Sequence, residues 1–204
     1  MKQVDKAHYE FGRYTKIDRW SSYYYQIKEV LLTKPKAVLE IGVGEGVLRD
    51  YIKSHTTIAY TSLDVAEDLA PDVVGSVLKL PFPDNTFDTV CAFEVLEHLP
   101  FADFEKALQE LRRVSKHFVI LSLPHFGPPV KFLLKIPFFP QLQKAFKIVF
   151  PKTHHFDGEH YWEIGKRGYG VRYVRSVLKK YFVLTGEYVP FENQYHHFYV
   201  LKKI

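Results

Sequence analysis

Apolar residues recur along the chain with two different periods. A spacing of three and four residues, typical of helices, occurs in four segments: 17–33, 47–54, 101–115 and 170–180. Between them lie short apolar runs that are typical of buried strands, at 36–41, 57–63, 73–74, 87–93, 118–123, 181–188 and 195–202. Strands that alternate with helices predict an α/β fold whose seven-stranded, mostly parallel sheet is flanked by helices.

Residues 125–165 interrupt this alternation and indicate an insertion rich in Phe, Pro, Lys and His. Four apolar positions in it share helical spacing and predict a helix: Leu142, Ala145, Phe146 and Val149. We therefore expect a single domain over 1–204 with four parts: an N-terminal helical cap at 1–34, a core at 35–124, a lid at 125–165, and a C-terminal helix with strands at 166–204.

Charge is distributed unevenly among these parts. The 204 residues include 28 Lys or Arg and 23 Asp or Glu, a net charge of +5. Residues 131–180 carry eleven basic residues against three acids, a net +8, whereas 1–130 carry fifteen against eighteen, a net −3. The basic segment has three interpretations: a solvated face, a site for an anionic small molecule, or an amphipathic surface at 128–151 on an anionic membrane. The cations considered for the anion are Lys166, Arg167, Arg172 and Arg175.

Cys91 is the single cysteine, which excludes an intrachain disulfide and favours a reducing compartment. It lies in a predicted strand, so we expect it to pack in the core. The first ten residues lack the apolar region of a signal peptide. The longest uncharged stretch, 117–130, is shorter than the ~20 apolar residues that span a membrane. These features predict a cytoplasmic protein.

A glycine turn follows the first predicted strand and opens a helix. Its sequence is Glu40-Ile-Gly-Val-Gly-Glu-Gly46, and glycines let a ligand approach the backbone. Val47 stands where the dinucleotide fingerprint has its third glycine, which argues against NAD or FAD. Asp64 ends the second strand, where a carboxylate can accept hydrogen bonds from both hydroxyls of a ribose.

Five motifs in this order resemble the class I S-adenosylmethionine-dependent methyltransferases, above all the broad group of small-molecule, ubiquinone-type enzymes. The motifs are VLEIGVGEG at 38–46, LD at 63–64, LPFPDNTFD at 80–88, FEVLEHL at 93–99 and ILSLPH at 120–125. The resemblance covers roughly 36–125. It implies a Rossmann-like fold, a transferase of the methyltransferase class, and S-adenosyl-L-methionine as the cofactor.

The resemblance also implies roles for the residues that match the motifs. Glu40 and the backbone of Gly42, Val43 and Gly44 would hold the amino-acid end of the cofactor. Asp64 would bind its ribose.

Four further positions would also contact the cofactor. Val65 would pack on the adenine, and Phe93 would contact the methionine portion. Ser76 and Val77 stand where the family often has an acid and a small residue that contact the adenine amino group. Ser76 replaces the acid, and its hydroxyl can still accept a hydrogen bond.

Methyl transfer from a sulfonium is a direct displacement, so the enzyme mainly aligns the acceptor and excludes water. A hydroxyl acceptor benefits from a general base, and histidine titrates near neutral pH. The candidate bases are His125, His98 and His160. We rank His125 first because it follows the fifth strand on the expected ligand side, with a solvated loop histidine as the alternative.

The insertion contains a group of possible metal ligands and two large aromatic residues. The group matches no standard zinc spacing, so we predict no metal; it comprises His154, His155, Asp157, Glu159 and His160. We expect a loop over the acceptor pocket, with Tyr161 and Trp162 as apolar walls. The N-terminal helix should close over the cofactor through Tyr14, Arg19 or Tyr24.

The motifs together predict transfer of a methyl group from S-adenosylmethionine to a small-molecule or lipid-linked acceptor at oxygen. The charge pattern makes an anionic acceptor and peripheral membrane contact consistent with this function. Two alternatives stay open: an RNA methyltransferase and a non-catalytic, cofactor-binding regulatory protein. Nucleic acid ranks lower because the sequence shows no RNA-binding module and lacks the N/D-P-P-Y/F/W motif of families that methylate exocyclic amines.

Overall fold

The computed structural model describes residues 15–148, 150 and 152–204. Its helices are α1 (Ile17–Leu32), α2 (Val47–His55), α3 (Phe104–Val114) and α4 (Val171–Leu178). Its strands are β1 (Ala37–Ile41), β2 (Ala59–Asp64), β3 (Val73–Val74), β4 (Phe87–Phe93), β5 (Ser115–Pro124), β6 (Pro129–Leu134), β7 (Leu142–Lys147), β8 (Phe182–Tyr188) and β9 (His196–Lys203). Within this part of the chain, no helix is both long enough and apolar enough to cross a bilayer.

Seven strands form the central sheet in the order β3-β2-β1-β4-β5-β9-β8. The first five strands along the chain pair in parallel, and β9 runs antiparallel to both β5 and β8. The two strands next to β1 are β2 and β4, and the chain leaves β1 toward them in opposite directions across the sheet. The predicted seven-stranded, mostly parallel sheet is therefore confirmed.

Helices cover both faces of this sheet and define two apolar cores. On one face, α3 and α4 bury residues such as Leu108 and Val177 against β1, β4 and β5. On the other face, Val30 of α1 and Ile52 of α2 pack on the sheet. Cys91 is fully buried in this second core, as predicted.

The insertion contains a β-hairpin where the apolar spacing predicts a helix, so that prediction is wrong. Strand β7 pairs antiparallel with β6, from Pro129 opposite Lys147 to Leu134 opposite Leu142. Leu142 and Phe146 also fit a period of two, and pairing with β6 satisfies backbone groups that a short helix would leave open. Val149, the last position of the predicted helical face, lies outside the described residues.

The LPFPDNTFD loop is fixed to α3 by one arginine. Arg113 donates to the carbonyl oxygens of Leu80 and Phe82 at 2.9 and 2.8 Å, and to Asp84 at 2.9 Å. Its guanidinium also pairs with both carboxylate oxygens of Glu110 at 2.8 Å. Asp84 thus helps to hold the loop against α3, and it does not line the cavity described below.

Candidate active site

A cavity of about 600 Å³ opens where β1, β2 and β4 end. In open α/β sheets a ligand binds where neighbouring strands lead away in opposite directions, and β1 between β2 and β4 is such a point. All nine positions expected to contact the cofactor line this cavity: Glu40, Gly42, Val43, Gly44, Asp64, Val65, Ser76, Val77 and Phe93.

The turn between β1 and α2 brings bare backbone to the cavity. The φ angle is +80° at Gly42, +50° at Gly44 and +78° at Gly46, a region that disfavours side chains. A Cβ on Gly42 would lie 2.4 Å from Cγ2 of Val95 across the turn. The early third glycine, Gly46, therefore serves the backbone turn that begins α2.

Asp64 is held at the end of β2 by two backbone donors. Its Oδ2 accepts from the N–H of Val43, and its Oδ1 accepts from the N–H of Ala66, both at 2.9 Å. A carboxylate offers about four lone-pair sites. Asp64 also lines the cavity, so its other lone pairs can accept hydrogen bonds from a pair of ribose hydroxyls.

Glu40 lies under the glycine turn with 4% of its surface exposed, and its carboxyl accepts a hydrogen bond from the Tyr60 hydroxyl. Burial raises the pKa of Glu40 to about 8, although the Tyr60 hydrogen bond and the charge of Arg49 act to lower it. A carboxyl so short of solvation gains a partner from the ammonium group of an amino-acid ligand.

The rest of the cofactor wall is mostly apolar. Val77 and Phe93 are buried at its base, and Val65 stays half exposed at its rim. The Ser76 hydroxyl accepts from the N–H of Leu78 at 3.2 Å and keeps its own hydrogen available as a donor. These donors, acceptors and apolar surfaces fit a nucleoside joined to an amino acid, as in S-adenosylmethionine.

Helix α1 covers one side of the cavity. Arg19 and Tyr23 line it, and the Tyr23 hydroxyl donates to Glu45 of the glycine turn at 2.5 Å. Arg19 is thus placed as expected. Tyr24 instead points to solvent, 63% exposed and away from the cavity lining, and Tyr14 lies outside the described residues.

Two glutamates of the FEVLEHL motif form a buried acidic wall beyond the cofactor positions. Glu94 lines the cavity, and Glu97 lies fully buried behind it. Both oxygens of Glu97 and Oε1 of Glu94 have no hydrogen-bond partner among the described residues. Burial raises the pKa of Glu94 to about 7 and that of Glu97 well above its ordinary value. The sequence does not predict this wall, because the residues around Glu97 fit equally well a side chain that caps its own turn.

His160 reaches this wall from the insertion. Its Nδ1 lies 3.4 Å from Oε1 of Glu163, and its Nε2 lies 4.0 Å from Oε1 of Glu97. The Tyr195 hydroxyl donates to the same Glu163 oxygen at 2.8 Å. Burial acts to lower the pKa of His160, but the contact with Glu163 and the charge of Glu94 outweigh it and raise that pKa.

His98 lines the same cavity as His160. Its Nδ1 lies 2.9 Å from the carbonyl oxygen of Glu159, and the two imidazole rings meet edge to face with 5.0 Å between their centroids. Burial and the charge of His160 lower the pKa of His98. The structure thus brings two of the three candidate bases together.

His125, ranked first from the sequence, does not line this cavity. It is 8% exposed, stacks on His197 with 5.0 Å between ring centroids, and lines a second cavity of about 500 Å³ beneath the hairpin. Burial lowers its pKa to about 3, with the charge of Lys147 acting in the same direction. Although His125 follows β5 as expected, its N–H donates to the carbonyl of Tyr195, which ties it to the β9 side of the sheet.

The two aromatic residues expected in the wall of the acceptor pocket, Tyr161 and Trp162, lie in different environments. Tyr161 lines the cavity, whereas Trp162 is fully buried. The indole of Trp162 packs against the rings of Phe101 and Phe104, with centroids 4.9 and 5.0 Å apart. The prediction of Trp162 as a pocket wall is wrong, because its large apolar surface joins the core and anchors the end of the insertion.

The four cations considered for an anionic acceptor are absent from the cavity lining: Lys166, Arg167, Arg172 and Arg175. Arg175 forms two hydrogen bonds with Glu187, at 2.7 and 2.9 Å. The Lys166 ammonium lies 3.7 Å from Glu163 and 3.8 Å from the centroid of the Phe126 ring. The Asp, Glu and Arg side chains that line the cavity are mostly acidic: Arg19, Glu40, Glu45, Asp64, Glu94, Asp103 and Glu159.

Two trios bring potential metal ligands within 4.8 Å of one another. One comprises Glu97, His98 and His160, and the other Asp157, His160 and Glu163. Of the possible ligands noted in the sequence at 153–160, only Asp157 and His160 belong to these trios. His154 instead contacts the carbonyl oxygen of His160, at 2.9 Å. A metal at either trio would occupy the nitrogen lone pair that a base requires, so a chelator distinguishes the two roles.

Comparisons with known proteins agree with this geometry. Residues 39–122 match a family model described as a methyltransferase domain. An uncharacterized protein of Methanocaldococcus jannaschii is 37% identical over 87 residues, which cover 39% of this chain and 36% of the relative. Demethylmenaquinone methyltransferase of Thermus thermophilus is 32% identical over 115 residues, covering 48% of this chain and 50% of the relative. The chain thus spans half or less of these curated relatives.

A solved structure extends the fold comparison to nearly the whole chain. The N-methyltransferase NodS of Bradyrhizobium japonicum, in complex with S-adenosylhomocysteine, superposes with a TM-score of 0.63 at 10% identity, covering 98% of this chain and 94% of that one. At this identity the likeness supports the Rossmann-like fold. Over residues 39–122 the chain thus contains a methyltransferase domain, and the fold and the nine cavity positions agree with S-adenosyl-L-methionine as its cofactor.

Proposed function

We propose that this chain transfers a methyl group from S-adenosylmethionine to an oxygen of a small-molecule acceptor, with His160 as the general base. One observation carries the proposal: His160 and all nine cofactor positions line the same cavity. The base and the methyl donor would therefore meet in one cavity.

The chain's own residues hold the cofactor and acceptor in line. When bound, S-adenosylmethionine supplies an electrophilic methyl group on a sulfonium, and its leaving group departs neutral. Asp64 would fix the ribose of the nucleoside, and Glu40 with the backbone of the glycine turn would hold the amino-acid end. Such positioning is the main contribution that a methyltransferase makes to the rate.

His160 is oriented to accept a proton at Nε2. Its Nδ1 faces Glu163, so a hydrogen on Nδ1 is held by that carboxylate and the lone pair is left on Nε2. The imidazolium that forms is stabilised by the contact with Glu163 and by the charge of Glu94. Glu163 is in turn fixed by the Tyr195 hydroxyl. A base supported in this way removes the proton of a hydroxyl as the methyl group is transferred.

The insertion shields this reaction from water. Tyr161 lines the cavity, and its N–H donates to the carbonyl of Glu97 at 2.8 Å. His98, in the loop after β4, contacts the carbonyl oxygen of Glu159. These two contacts join the segment at 159–161 to the loop after β4 and support the lid function predicted for the insertion.

The cavity lining favours a neutral or apolar acceptor over a free anion. Its charged side chains are mostly acidic, and an anion would be repelled by them. The activity named for the Thermus thermophilus relative supports a small-molecule acceptor. We therefore propose a lipid-linked or otherwise apolar hydroxyl compound. The cytoplasmic location and the single-domain arrangement stay predictions.

Calorimetric titration with S-adenosylhomocysteine tests cofactor binding. We expect binding by the unchanged protein and a loss of about tenfold or more in affinity for Asp64→Asn, which keeps the shape but removes the charge. Asp84→Asn is the matched control, because Asp84 lies outside the cavity lining. If the unchanged protein does not bind S-adenosylhomocysteine, the proposed function is wrong.

Transfer of labelled methyl groups to cell extracts tests the acceptor. We expect label in the lipid or small-molecule fraction, and less with His160→Gln. Label confined to RNA would support the RNA methyltransferase alternative. Cofactor binding without transfer to any fraction would support the non-catalytic alternative.

A further inference from the structure

The β6–β7 hairpin, residues 129–147, carries an exposed apolar face that is separate from the cavity. Because side chains alternate along strands, one face presents five apolar residues and one lysine. The five are between 41% and 63% exposed: Val130, Phe132, Leu134, Leu142 and Phe146. Exposed apolar surface on this scale marks an interaction site.

The opposite face contacts the body of the protein through its lysines, while Leu133, nearer the turn, is 52% exposed. Lys131 donates to the carbonyl oxygen of Glu192 at 2.9 Å, and Lys147 donates to the carbonyl oxygen of His125. Gln143 and Ala145 line the second cavity beneath the hairpin, and Phe146 of the apolar face also reaches its edge. The hairpin is therefore held from one side, and its apolar face is turned outward.

The turn of the hairpin is also apolar and fully accessible. It contains Ile136, followed by Phe138 and Phe139 between two prolines, and Phe138 and Phe139 are 103% and 65% exposed. The hairpin contains four lysines and no acidic residue: Lys131, Lys135, Lys144 and Lys147. A membrane surface has anionic headgroups outside and acyl chains beneath them. Apolar side chains at the tip of the hairpin would contact the acyl chains, and the lysines behind the tip would contact the headgroups.

We propose that this hairpin docks the protein on a bilayer that contains anionic lipids, with the turn at 136–140 inserted among the headgroups and upper acyl chains. A six-residue strand extends about 20 Å, less than the ~30 Å hydrocarbon core, so the hairpin reaches only one leaflet. Its open strand edges stay in the headgroup layer, where backbone groups retain water.

Charge and composition favour a bilayer over two other occupants. A second copy docked face to face would bury Lys144 of each copy, with no acid on either hairpin to pair with it. Single-stranded RNA is bound by stacking aromatics with help from arginine. The hairpin has no arginine, and three of its five face residues are aliphatic: Val130, Leu134 and Leu142.

The docking surface and the cavity are connected through one loop. The hairpin contacts Glu192 and the ring of Phe191, whereas Tyr195 of the same loop lines the cavity. A docked hairpin would thus hold the cavity close to the bilayer. This consequence rests on the proposed function, while membrane docking itself does not.

Sedimentation with lipid vesicles tests the inference. The unchanged protein is mixed with vesicles of phosphatidylcholine alone or of phosphatidylcholine with phosphatidylglycerol. We expect binding to the second kind, weakened by salt. The double variants Phe138→Asp with Phe139→Asp and Lys135→Glu with Lys144→Glu should each reduce binding about tenfold or more. Lys34→Glu with Lys179→Glu is the control for the same change in net charge, and both of its lysines are exposed away from the hairpin.

Each outcome decides for or against the bilayer. Equal binding by the Phe138→Asp, Phe139→Asp variant and the unchanged protein overturns it, as does failure of the unchanged protein to bind anionic vesicles. A dimer in sedimentation velocity that the same variant dissociates would assign the face to a second copy. Binding of poly(U) with no binding of vesicles would assign it to RNA. Calorimetry with S-adenosylhomocysteine on every variant shows separately whether the fold and the cofactor site are intact.

Discussion

Glu97 and His160 face each other at the end of the cofactor cavity, with Oε1 and Nε2 4.0 Å apart, although they come from different parts of the chain. Glu97 belongs to a motif of the core, and His160 belongs to the insertion. The insertion therefore completes the chemistry of the cavity, since the core alone supplies an unpartnered carboxylate. Although burial acts to lower the pKa of His160, the hydrogen bond with Glu163 and the charge of Glu94 raise it.

Glu163→Gln should lower the pKa of His160, because the hydrogen bond to the carboxylate is the largest influence that raises it. Imidazole NMR titration measures this pKa without an acceptor. In methyl transfer, activity should rise with pH as His160 loses its proton, and in the variant this rise should begin at lower pH. His55→Gln, on the exposed end of α2, is the control.

A merely structural role for Glu163 would reduce activity without moving the pH profile. A metal role for the Glu97, His98 and His160 trio would make activity sensitive to EDTA and restore it with added divalent metal. We expect EDTA to leave the activity of the unchanged protein as it is, because a proton-accepting Nε2 has no metal bound.

Gly42→Ala should weaken binding of S-adenosylhomocysteine and destabilise the fold by about 1–3 kcal/mol, the cost of forcing a side chain to a positive φ. The new Cβ would also collide with Val95. Adding Val95→Ala removes the collision and leaves the backbone strain. We therefore expect the double variant to recover part of the lost stability, as measured by chemical denaturation. Full recovery would show that the left-handed backbone is of no importance there.

Glu40→Gln should make the protein's stability less dependent on pH. The pKa of Glu40 is raised from 4.5 to about 8 in the fold, so between these values the folded state holds a proton that the unfolded state has released. Stability contributed by this carboxyl therefore falls as pH rises from about 4.5 to about 8. Relative to the unchanged protein, the melting temperature of Glu40→Gln should increase across this window.

The control for this experiment is Glu67→Gln, an exposed residue of similar chemistry. Its melting temperature should follow that of the unchanged protein at every pH. Saturating S-adenosylhomocysteine should reduce the difference between Glu40→Gln and the unchanged protein at pH 8, because the ligand's ammonium favours the ionised carboxylate. A constant difference between pH 5 and pH 8 would contradict the raised pKa.

The sequence predicts the core well because its signals are local. The strand ending in Ile41, the glycine turn and Asp64 are recognised within short windows, and all cofactor positions derived from them line one cavity. The insertion is different. Leu142 and Phe146 fit both a helical and a strand period, and only pairing with β6 decides between them.

The acceptor side of the cavity depends on contacts between distant segments. Glu97 has the same local pattern whether it caps a turn or faces His160. Trp162 is equally apolar in a pocket wall and in the core, where Phe101 and Phe104 receive it. His125 follows β5 as expected, but the neighbouring β9 strand, not the sequence around His125, decides which cavity it lines.

The hairpin has a consequence for how such proteins diversify. Its two strands pair only with each other within the described part of the chain, and the central sheet keeps its register without them. A backbone hydrogen bond from Ile148 to Pro128 closes its base. Segments of other lengths and compositions can therefore be exchanged at this point while the cofactor cavity is retained. Membrane attachment would then be inherited, lost or replaced independently of the methyl-transfer chemistry.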